Sequence, residues 1–315
     1  MNRSKLLSAS ALSSVMAASA AHAEMTISVY TLGAFYDSDG GGLANANTSQ
    51  TITVSYSDTL NNGMGLSIGM DITSTLASKI TLDTGMGTVM FSADGKVSSA
   101  LDNNDGSPVC FGLYYCASAY NGTTYNDGDE VSGNSIGYSS PSFSGFQVHL
   151  THGLAGSYDN SAHGGSATEP VNSVDSIAVT GSIMGATVKA AVASIDYDQI
   201  GWNQPGGSEM TDNDPSMYSI GYSIAGLDIG YAVYDSDDAA SSEETQYGVG
   251  TSLLGMYVGA QFGSHDSTTD TDYMTLTAIK DMGPAQFSYE YVETDVANTT
   301  VGDTDTHWVA YQFSF

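Results

Sequence analysis

Regular alternation of apolar and polar residues is the strongest pattern along this chain. In residues 64–72 apolar side chains hold every second position, while Gly, Ser and Asp hold the positions between. Residues 217–224, 255–263 and 284–292 repeat the alternation. A period of two puts apolar side chains on one face of a β-strand and polar ones on the other. The pattern therefore predicts an all-β chain of amphipathic strands.

The connections between these strands are of two kinds that alternate along the chain. Seven are short and rich in Gly or Asn, as in residues 183–185 and 253–255. Eight are longer and acidic, as in residues 94–132, 196–215 and 235–244. Fifteen connections join sixteen strands, and a barrel with both chain ends on its short-turn side needs one fewer short turn than long loops. A soluble β-sandwich would not normally sort its connections so strictly by length and charge.

The polar face of the predicted strands consists mostly of Gly, Ser, Thr and Gln, with few charges. That composition suits a barrel with an apolar lipid-facing surface and a hydrated interior. Closure leaves no strand edge exposed in lipid. Sixteen strands enclose a lumen too wide for side chains to fill. We therefore expect a transmembrane, 16-stranded antiparallel β-barrel with long outer loops and short periplasmic turns.

The charge balance is strongly acidic. There are 35 Asp and Glu against 6 Lys and Arg, which gives a formal net charge of −29. Nucleic-acid binding needs a basic surface and is not expected. The 20 Tyr argue against a disordered acidic tail, which has few aromatic residues.

The first 23 residues have the pattern of a signal peptide. Arg3 and Lys5 precede an apolar segment, and Ala21-His22-Ala23 has the form of a cleavage site. The pattern predicts an exported mature chain of residues 24–315. In an oxidising compartment Cys110 and Cys116 could form a disulfide across a short loop. The alternative is two unpaired thiols in a loop.

Three stretches of the sequence carry a resemblance to a known family. Residues 307–315 alternate and end in Phe, residues 134–146 read NSIGYSSPSFSGF, and residues 84–89 read TGMGTV. With the strand count and loop order, they resemble the general, trimeric porins of Gram-negative outer membranes. By this resemblance the C-terminal segment is similar to the signal that the outer-membrane assembly machinery reads, carried by Tyr311, Phe313 and Phe315.

The resemblance implies a homotrimer in the cell outer membrane, in contact with lipid and lipopolysaccharide. It also implies that the third long loop, residues 94–132, folds into the barrel and narrows it. The acids of that loop then form the constriction: Asp102, Asp105, Asp127, Asp129 and Glu130. The family's opposing basic cluster has no counterpart, because the mature chain has no Arg and its Lys are scattered. The alternative for the loop is an ordinary solvated surface segment.

Residues that alternate with the apolar face should point into the lumen. Seven of them are charged or titratable and are expected to line the pore: Asp71, Lys79, Asp83, His149, Lys189, Asp228 and Glu290. Lys280 instead shares its parity with apolar residues near a strand end, where its ammonium should reach the membrane interface.

Catalysis and cofactor binding have little support in the sequence. His149 and His152 lie near Ser and Asp residues, but no serine stands out as a nucleophile, so we expect no enzyme. Paired loop acids such as Asp235 and Asp237 offer oxygen ligands that suit Ca²⁺, although none follows the EF-hand pattern. The alternative is that these acids only keep the loops hydrated. No other cofactor is expected.

Three functions stay open at this point. A passive diffusion channel for ions and small hydrophilic solutes is the leading hypothesis, and it is expected to prefer cations because rings of Asp and Glu favour them. A substrate-specific uptake channel with a shaped third loop is the second. A non-conducting surface or adhesion protein on a barrel scaffold is the third.

Overall fold

The fold is seen in a computed structural model that describes ten stretches of the chain between residues 24 and 315. The described residues are 24–38, 44–72, 76–93, 131–132, 134–159, 168–197, 214–238, 241–267, 270–296 and 304–315. They contain no helix, and hence no helix long and apolar enough to cross a membrane.

Seventeen strands account for nearly all of the described chain. In order they are β1 (Glu24–Ser38), β2 (Ala44–Thr59), β3 (Gly65–Ile72), β4 (Leu76–Asp83), β5 (Thr88–Ala93), β6 (Val131–Ser132), β7 (Asn134–Ser139), β8 (Phe146–Asp159), β9 (Thr168–Ile183), β10 (Ala186–Tyr197), β11 (Ser216–Ile224), β12 (Leu227–Asp238), β13 (Ser241–Leu253), β14 (Met256–Ser267), β15 (Thr271–Asp281), β16 (Ala285–Val296) and β17 (Thr304–Ser314).

The strands close into a single antiparallel barrel. β1 pairs with β2 on one side and with β17 on the other, where Ala34 lies opposite Ala310. Both β6 and β7 pair with β8, so they are two segments of one barrel strand. The barrel wall therefore has sixteen strands, and the predicted fold class is confirmed.

The strands run further into the long connections than the sequence pattern indicated. β12 continues to Asp238 and β13 begins at Ser241, although residues 235–244 were expected to be a loop. Val131 and Ser132, at the end of the segment expected to form the third loop, pair with Tyr158 and Ser157. Beyond the membrane both faces of a strand meet water, so apolar alternation stops while backbone pairing continues.

The two faces of the barrel wall differ sharply in exposure. Tyr247 and Val249 on β13 are exposed on the outer face, whereas Glu244 and Gln246 on the same strand are buried on the inner face. Small residues pack with Met217 and Tyr234 along the inner side of β9–β12. Most buried side chains thus lie on the inner wall, and most large apolar residues point outward, as expected where lipid surrounds the barrel.

Candidate functional site

The inner wall of β12–β16 concentrates buried polar groups near the long-loop end of the barrel. Period-two alternation turns Glu244 and Gln246 of β13 inward together with Gln261 of β14, and all three are buried. Gln246 Nε2 donates to Glu244 Oε1 at 2.5 Å, and Gln261 Nε2 donates to Gln246 Oε1 at 3.4 Å. Burying a carboxylate is favourable only with such donors nearby.

A tyrosine on β15 completes this cluster from two strands away. Tyr273 pairs with Gly263 on β14, and its hydroxyl donates to Glu244 Oε1 on β13 at 2.8 Å. The ring can cross β14 only because residue 263 has no side chain. A Cβ at that position would lie 2.2 Å from the hydroxyl oxygen of Tyr273.

The same construction recurs nearer the short-turn end. Tyr257 on β14 lies over Gly250 on β13, where a Cβ would be 2.1 Å from the phenol oxygen. Its hydroxyl donates to Asp228 Oδ2 on β12 at 3.0 Å, and Ser223 Oγ donates to Asp228 Oδ1 at 2.5 Å. The inward-facing carboxylate of Asp228 is therefore held in place from both sides.

A second polar group on the inner face joins β7–β10. His149 Nδ1 lies 2.8 Å from Ser139 Oγ, and His149 Nε2 lies 2.9 Å from Thr180 Oγ1. Lys189 of β10 is the direct cross-strand partner of Thr180. The imidazole and the ammonium thus lie on either side of one threonine, and the ammonium makes this part of the inner wall basic.

The third group of expected pore-lining residues lies on β3 and β4. Asp71 Oδ1 accepts a 2.5 Å hydrogen bond from Thr53 Oγ1 of β2. Lys79 pairs with Gly69 across the strands and is exposed. Asp83 accepts from the backbone N–H of Gly85 at 3.0 Å, so it also supports the turn that follows β4.

Glu290 departs from its expected role as a pore-lining residue. It faces inward on β16, but it is fully buried and is reached by Ser288 Oγ at 2.7 Å. Its cross-strand partner on β17 is Trp308. Parity with the apolar face predicts on which side of the wall a residue lies, but it does not predict whether neighbouring inward side chains cover it.

Two aromatic rings stack on the inner face where the barrel closes. Tyr36 of β1 and Trp308 of β17 are cross-strand partners with ring centroids 4.9 Å apart. Trp308 also packs against buried Tyr273 and Val292. Both stacked rings stay partly exposed, so this part of the wall offers a flat aromatic surface beside carboxylates.

His265 is a titratable group on the inner wall, and it lies closer to the long-loop end than the lipid-facing apolar residues of its strand. It pairs across the strands with Glu244 and is buried. Burial lowers the pKa of His265, and the nearby Asp266 and Asp270 act in the opposite direction. The net direction is downward, so the neutral imidazole is favoured in the folded barrel.

Several expected site residues lie outside the described part of the chain. They are the proposed constriction acids Asp102, Asp105, Asp127, Asp129 and Glu130 and the cysteines Cys110 and Cys116. The described C-terminal segment places Phe315 beside Val29, with backbone hydrogen bonds of 2.9 and 3.0 Å between them. Tyr311 and Phe313 on β17 pair with Gly33 and Thr31 of β1, next to that end. Within the described residues, no three His, Cys, Asp or Glu side chains are placed to hold a metal ion.

The buried cluster around Glu244 was missed at the level of sequence. Its signal was present, since residues 244, 246, 248 and 250 alternate with Thr245, Tyr247 and Val249. Residue 244 was instead assigned to the preceding loop because of the acidic run around it.

Comparison with known proteins agrees with this architecture. The model of the Gram-negative porin family matches residues 8–315. Among curated proteins, no sequence matches the chain.

Solved structures of outer-membrane proteins share the fold at low sequence identity. OmpT of Vibrio cholerae, an outer membrane protein folded in vitro, is 14% identical with a TM-score of 0.66, over 95% of this chain and 99% of that one. A mutant of the porin of Rh. blastica is also 14% identical with a TM-score of 0.60, over 93% of this chain and all of that one. At such identities the likeness concerns the fold alone.

Proposed function

Because the chain belongs to the Gram-negative porin family, we propose that it forms a passive diffusion channel for ions and small hydrophilic solutes, with a preference for cations. As a member of that family with a closed 16-strand barrel, it is a multi-pass protein of the bacterial outer membrane. The cation preference and the part played by the third loop rest on the charges of this particular chain.

The observation that carries the proposal is the sign of the charges on the inner wall. Acids on the described inner face include Asp71, Asp83 and Asp228, while its lysines are Lys79 and Lys189. The third loop adds five acids and no base between residues 102 and 130. Low-dielectric walls focus the field of such charges inside a narrow aqueous passage. Cations are then concentrated and anions are depleted.

Reversal potentials across a planar bilayer under a salt gradient test the proposal. The unmodified protein should show a cation-selective potential. Replacing Asp102, Asp105, Asp127, Asp129 and Glu130 by Asn and Gln should lower the cation-to-anion permeability ratio. Asp175→Asn and Asp272→Asn, on the outer face, provide a control that should leave it unchanged. Anion preference in the unmodified protein would refute the electrostatic argument, and absence of conductance would favour the adhesion barrel.

A substrate-specific uptake channel is the second candidate, and one structural feature favours it. The partly exposed stack of Tyr36 and Trp308 on the inner wall suits the apolar face of a cyclic polyhydroxylated solute. Such a channel would show saturable block of ion current by the solute, and Trp308→Ala would relieve the block. Current that no solute blocks would leave general diffusion as the function.

The assembly proposed for the chain is a homotrimer, as is typical of the family. Native mass spectrometry of detergent-extracted protein gives the mass directly. A mass of three chains supports the trimer, and a single-chain mass under conditions that preserve heat-modifiable mobility would refute it.

A further inference from the structure

The short turns at one end of the barrel present large apolar side chains to their surroundings. Met184 is 95% exposed, Leu254 88%, Phe143 81% and Met86 76%. Met282 and Leu60 are exposed in two further turns, and the remaining turn carries Ala225. Six of the seven turns thus carry an exposed large apolar residue.

Two of these residues occupy backbone positions that disfavour large side chains. Met184 and Leu254 have φ values of 52° and are each followed by glycine, as is Ala225 at 53°. Asn, Asp and Gly are the usual residues at the first position of such two-residue hairpins, because they tolerate positive φ. The turn geometry itself therefore does not explain Met or Leu there. A residue type that the turn backbone disfavours, kept without any stabilising contact within the turn, points to an interaction outside the turn.

The apolar outer face of the barrel continues into several of these tips. Ile183 and Leu253 precede the turns of Met184 and Leu254, and both are exposed on the outer face. Phe315 is exposed at the same end. The tips are therefore an extension of the surface that faces lipid.

Charged groups at this end are mostly turned away from the outer surface or engaged there. Asp83 and Asp281 share the inner parity of their strands and accept from turn N–H groups at 3.0 and 2.8 Å. The outward-facing Asp58 accepts hydrogen bonds from Tyr56 and Thr59. Lys280 lies on the outer face, and its Nζ donates to the Gly255 carbonyl at 2.7 Å, at the height expected for lipid headgroups.

The opposite end of the barrel is built differently. There the outward-facing residues change from apolar to acidic, from Ile177 to Asp175 on β9 and from Tyr291 to Glu293 on β16. A polar collar therefore separates the apolar face from the long loops. No such collar is seen between the apolar face and the described short turns.

We infer that the turn tips are immersed in the lipid leaflet around the short-turn end, at the junction of headgroups and acyl chains. Apolar side chains gain free energy by leaving water for that region, and Lys280 lies where it can meet lipid phosphates. The partner is thus the phospholipid surface itself, and the tips act as a ring of shallow anchors. This inference does not depend on the solute or ion preference of the channel.

Depth measurements on the full-length mature protein test the inference directly. Met184→Cys in a chain with Cys110→Ser and Cys116→Ser is labelled with an environment-sensitive fluorophore. The protein is then folded into vesicles of phosphatidylethanolamine and phosphatidylglycerol. Lipids brominated near the top of the acyl chain should quench this label several-fold more than the same label at Asp272→Cys, in the polar collar. Iodide on both sides of the membrane should show the reverse order. Equal iodide quenching at the two sites would overturn the inference and leave the tips in water, free for a periplasmic protein.

Turn variants give an independent test that needs no label. Met184→Asn and Leu254→Asn supply the residue that the backbone prefers, but they remove the apolar side chain. Ala225→Asn is the matched control, because its φ is the same and no large side chain is lost. In vesicles, the urea midpoints of the Met184 and Leu254 variants should fall below that of the Ala225 variant. If all three midpoints rise equally, the tips lie in water and the inference is wrong.

Discussion

The phenol of Tyr273 donates a 2.8 Å hydrogen bond to the carboxylate of Glu244, although the two residues lie on strands that are not adjacent. The ring crosses Gly263 on the strand between them. Both side chains are buried, so the bond supplies a donor to one oxygen of a carboxylate that has little access to water. One glycine therefore makes possible a side-chain contact between β13 and β15 across the strand that separates them.

Removing the Tyr273 hydroxyl should destabilise the barrel. Tyr273→Phe keeps the ring but takes a donor from a buried carboxylate, a loss of about 1.5–3 kcal/mol for a hydrogen bond to a charged group. Urea unfolding in vesicles, followed by heat-modifiable gel mobility, measures the change. An unchanged midpoint would mean that Glu244 does not depend on this donor.

Adding a methyl group at Gly263 should have a comparable effect by a different route. Gly263→Ala would place its Cβ within 2.2 Å of the Tyr273 hydroxyl oxygen, so the ring must leave its position. Gly69→Ala on β3 is the matched control, since a Cβ there meets nothing within 4 Å. The expected order of urea midpoints is wild type and Gly69→Ala together, with Gly263→Ala lower. Equal midpoints for the two alanine variants would contradict the role assigned to the glycine.

Acidification should weaken the barrel through His265. Burial lowers the pKa of this histidine in the folded state, whereas the unfolded chain has an ordinary histidine pKa near 6.5. Below that value the unfolded state binds a proton at this histidine, whereas the folded state does not yet bind it. The free energy of unfolding therefore decreases as pH falls from about 6.5 towards the folded pKa. Above pH 6.5 this contribution is fully present.

The pH effect can be isolated by comparing two histidine variants. His265→Gln should reduce the difference between urea midpoints measured at pH 7.5 and pH 5.5. His307→Gln removes a histidine that is exposed on the outer face next to Tyr289, and it should keep the wild-type difference. The same dependence in wild type and His265→Gln would refute the prediction.

The contrast between Glu244 and Lys189 shows which features of the barrel wall can be predicted from the sequence. Alternation predicted the strands and the inner-wall side of Lys189, because the period of a strand is a local property, and the sorting of the connections into short turns and long loops predicted the barrel and its strand count. Glu244 was assigned to a loop because it closes an acidic run, although the alternation of residues 244–250 extends its strand. The contact of Tyr257 with Asp228 depends on the register of three strands at once. The spacing of residues along the chain does not encode that register. The role of a glycine in such a contact can be predicted only when the tyrosine that crosses it is known.

A disulfide between Cys110 and Cys116 stays a prediction from the exported character of the chain. The closed loop is short, so cross-linking is expected to stabilise by only about 2 kcal/mol through the unfolded state. Intact-mass spectrometry after alkylation without reductant should show no added label. Two added labels would refute the disulfide, and reduction should shift single-channel conductance if the bond shapes a loop inside the pore.

Lys189 and Lys280 provide a matched test of which charges the permeating ions sense. Lys189 lies on the inner wall beside Thr180, whereas Lys280 lies on the outer face and donates to the Gly255 carbonyl. Replacing either by Glu changes the net charge by the same amount, from +1 to −1. Only the first change lies inside the aqueous passage, where low-dielectric walls limit screening. Outside, salt screens a charge within about 8 Å at physiological ionic strength.

The reversal potential should therefore respond to Lys189→Glu and not to Lys280→Glu. A change of one kT in the lumen potential multiplies the cation concentration by about 2.7 and divides the anion concentration by the same factor, which is about sevenfold in their ratio. We expect Lys189→Glu to raise the cation-to-anion permeability ratio several-fold at low salt, and less at 1 M, where the Debye length falls to about 3 Å. Lys280→Glu should leave the ratio unchanged and lower the urea midpoint, because it removes the donor to the turn carbonyl. Equal shifts from both variants would mean that surface charge near the membrane sets the selectivity, rather than charge on the inner wall.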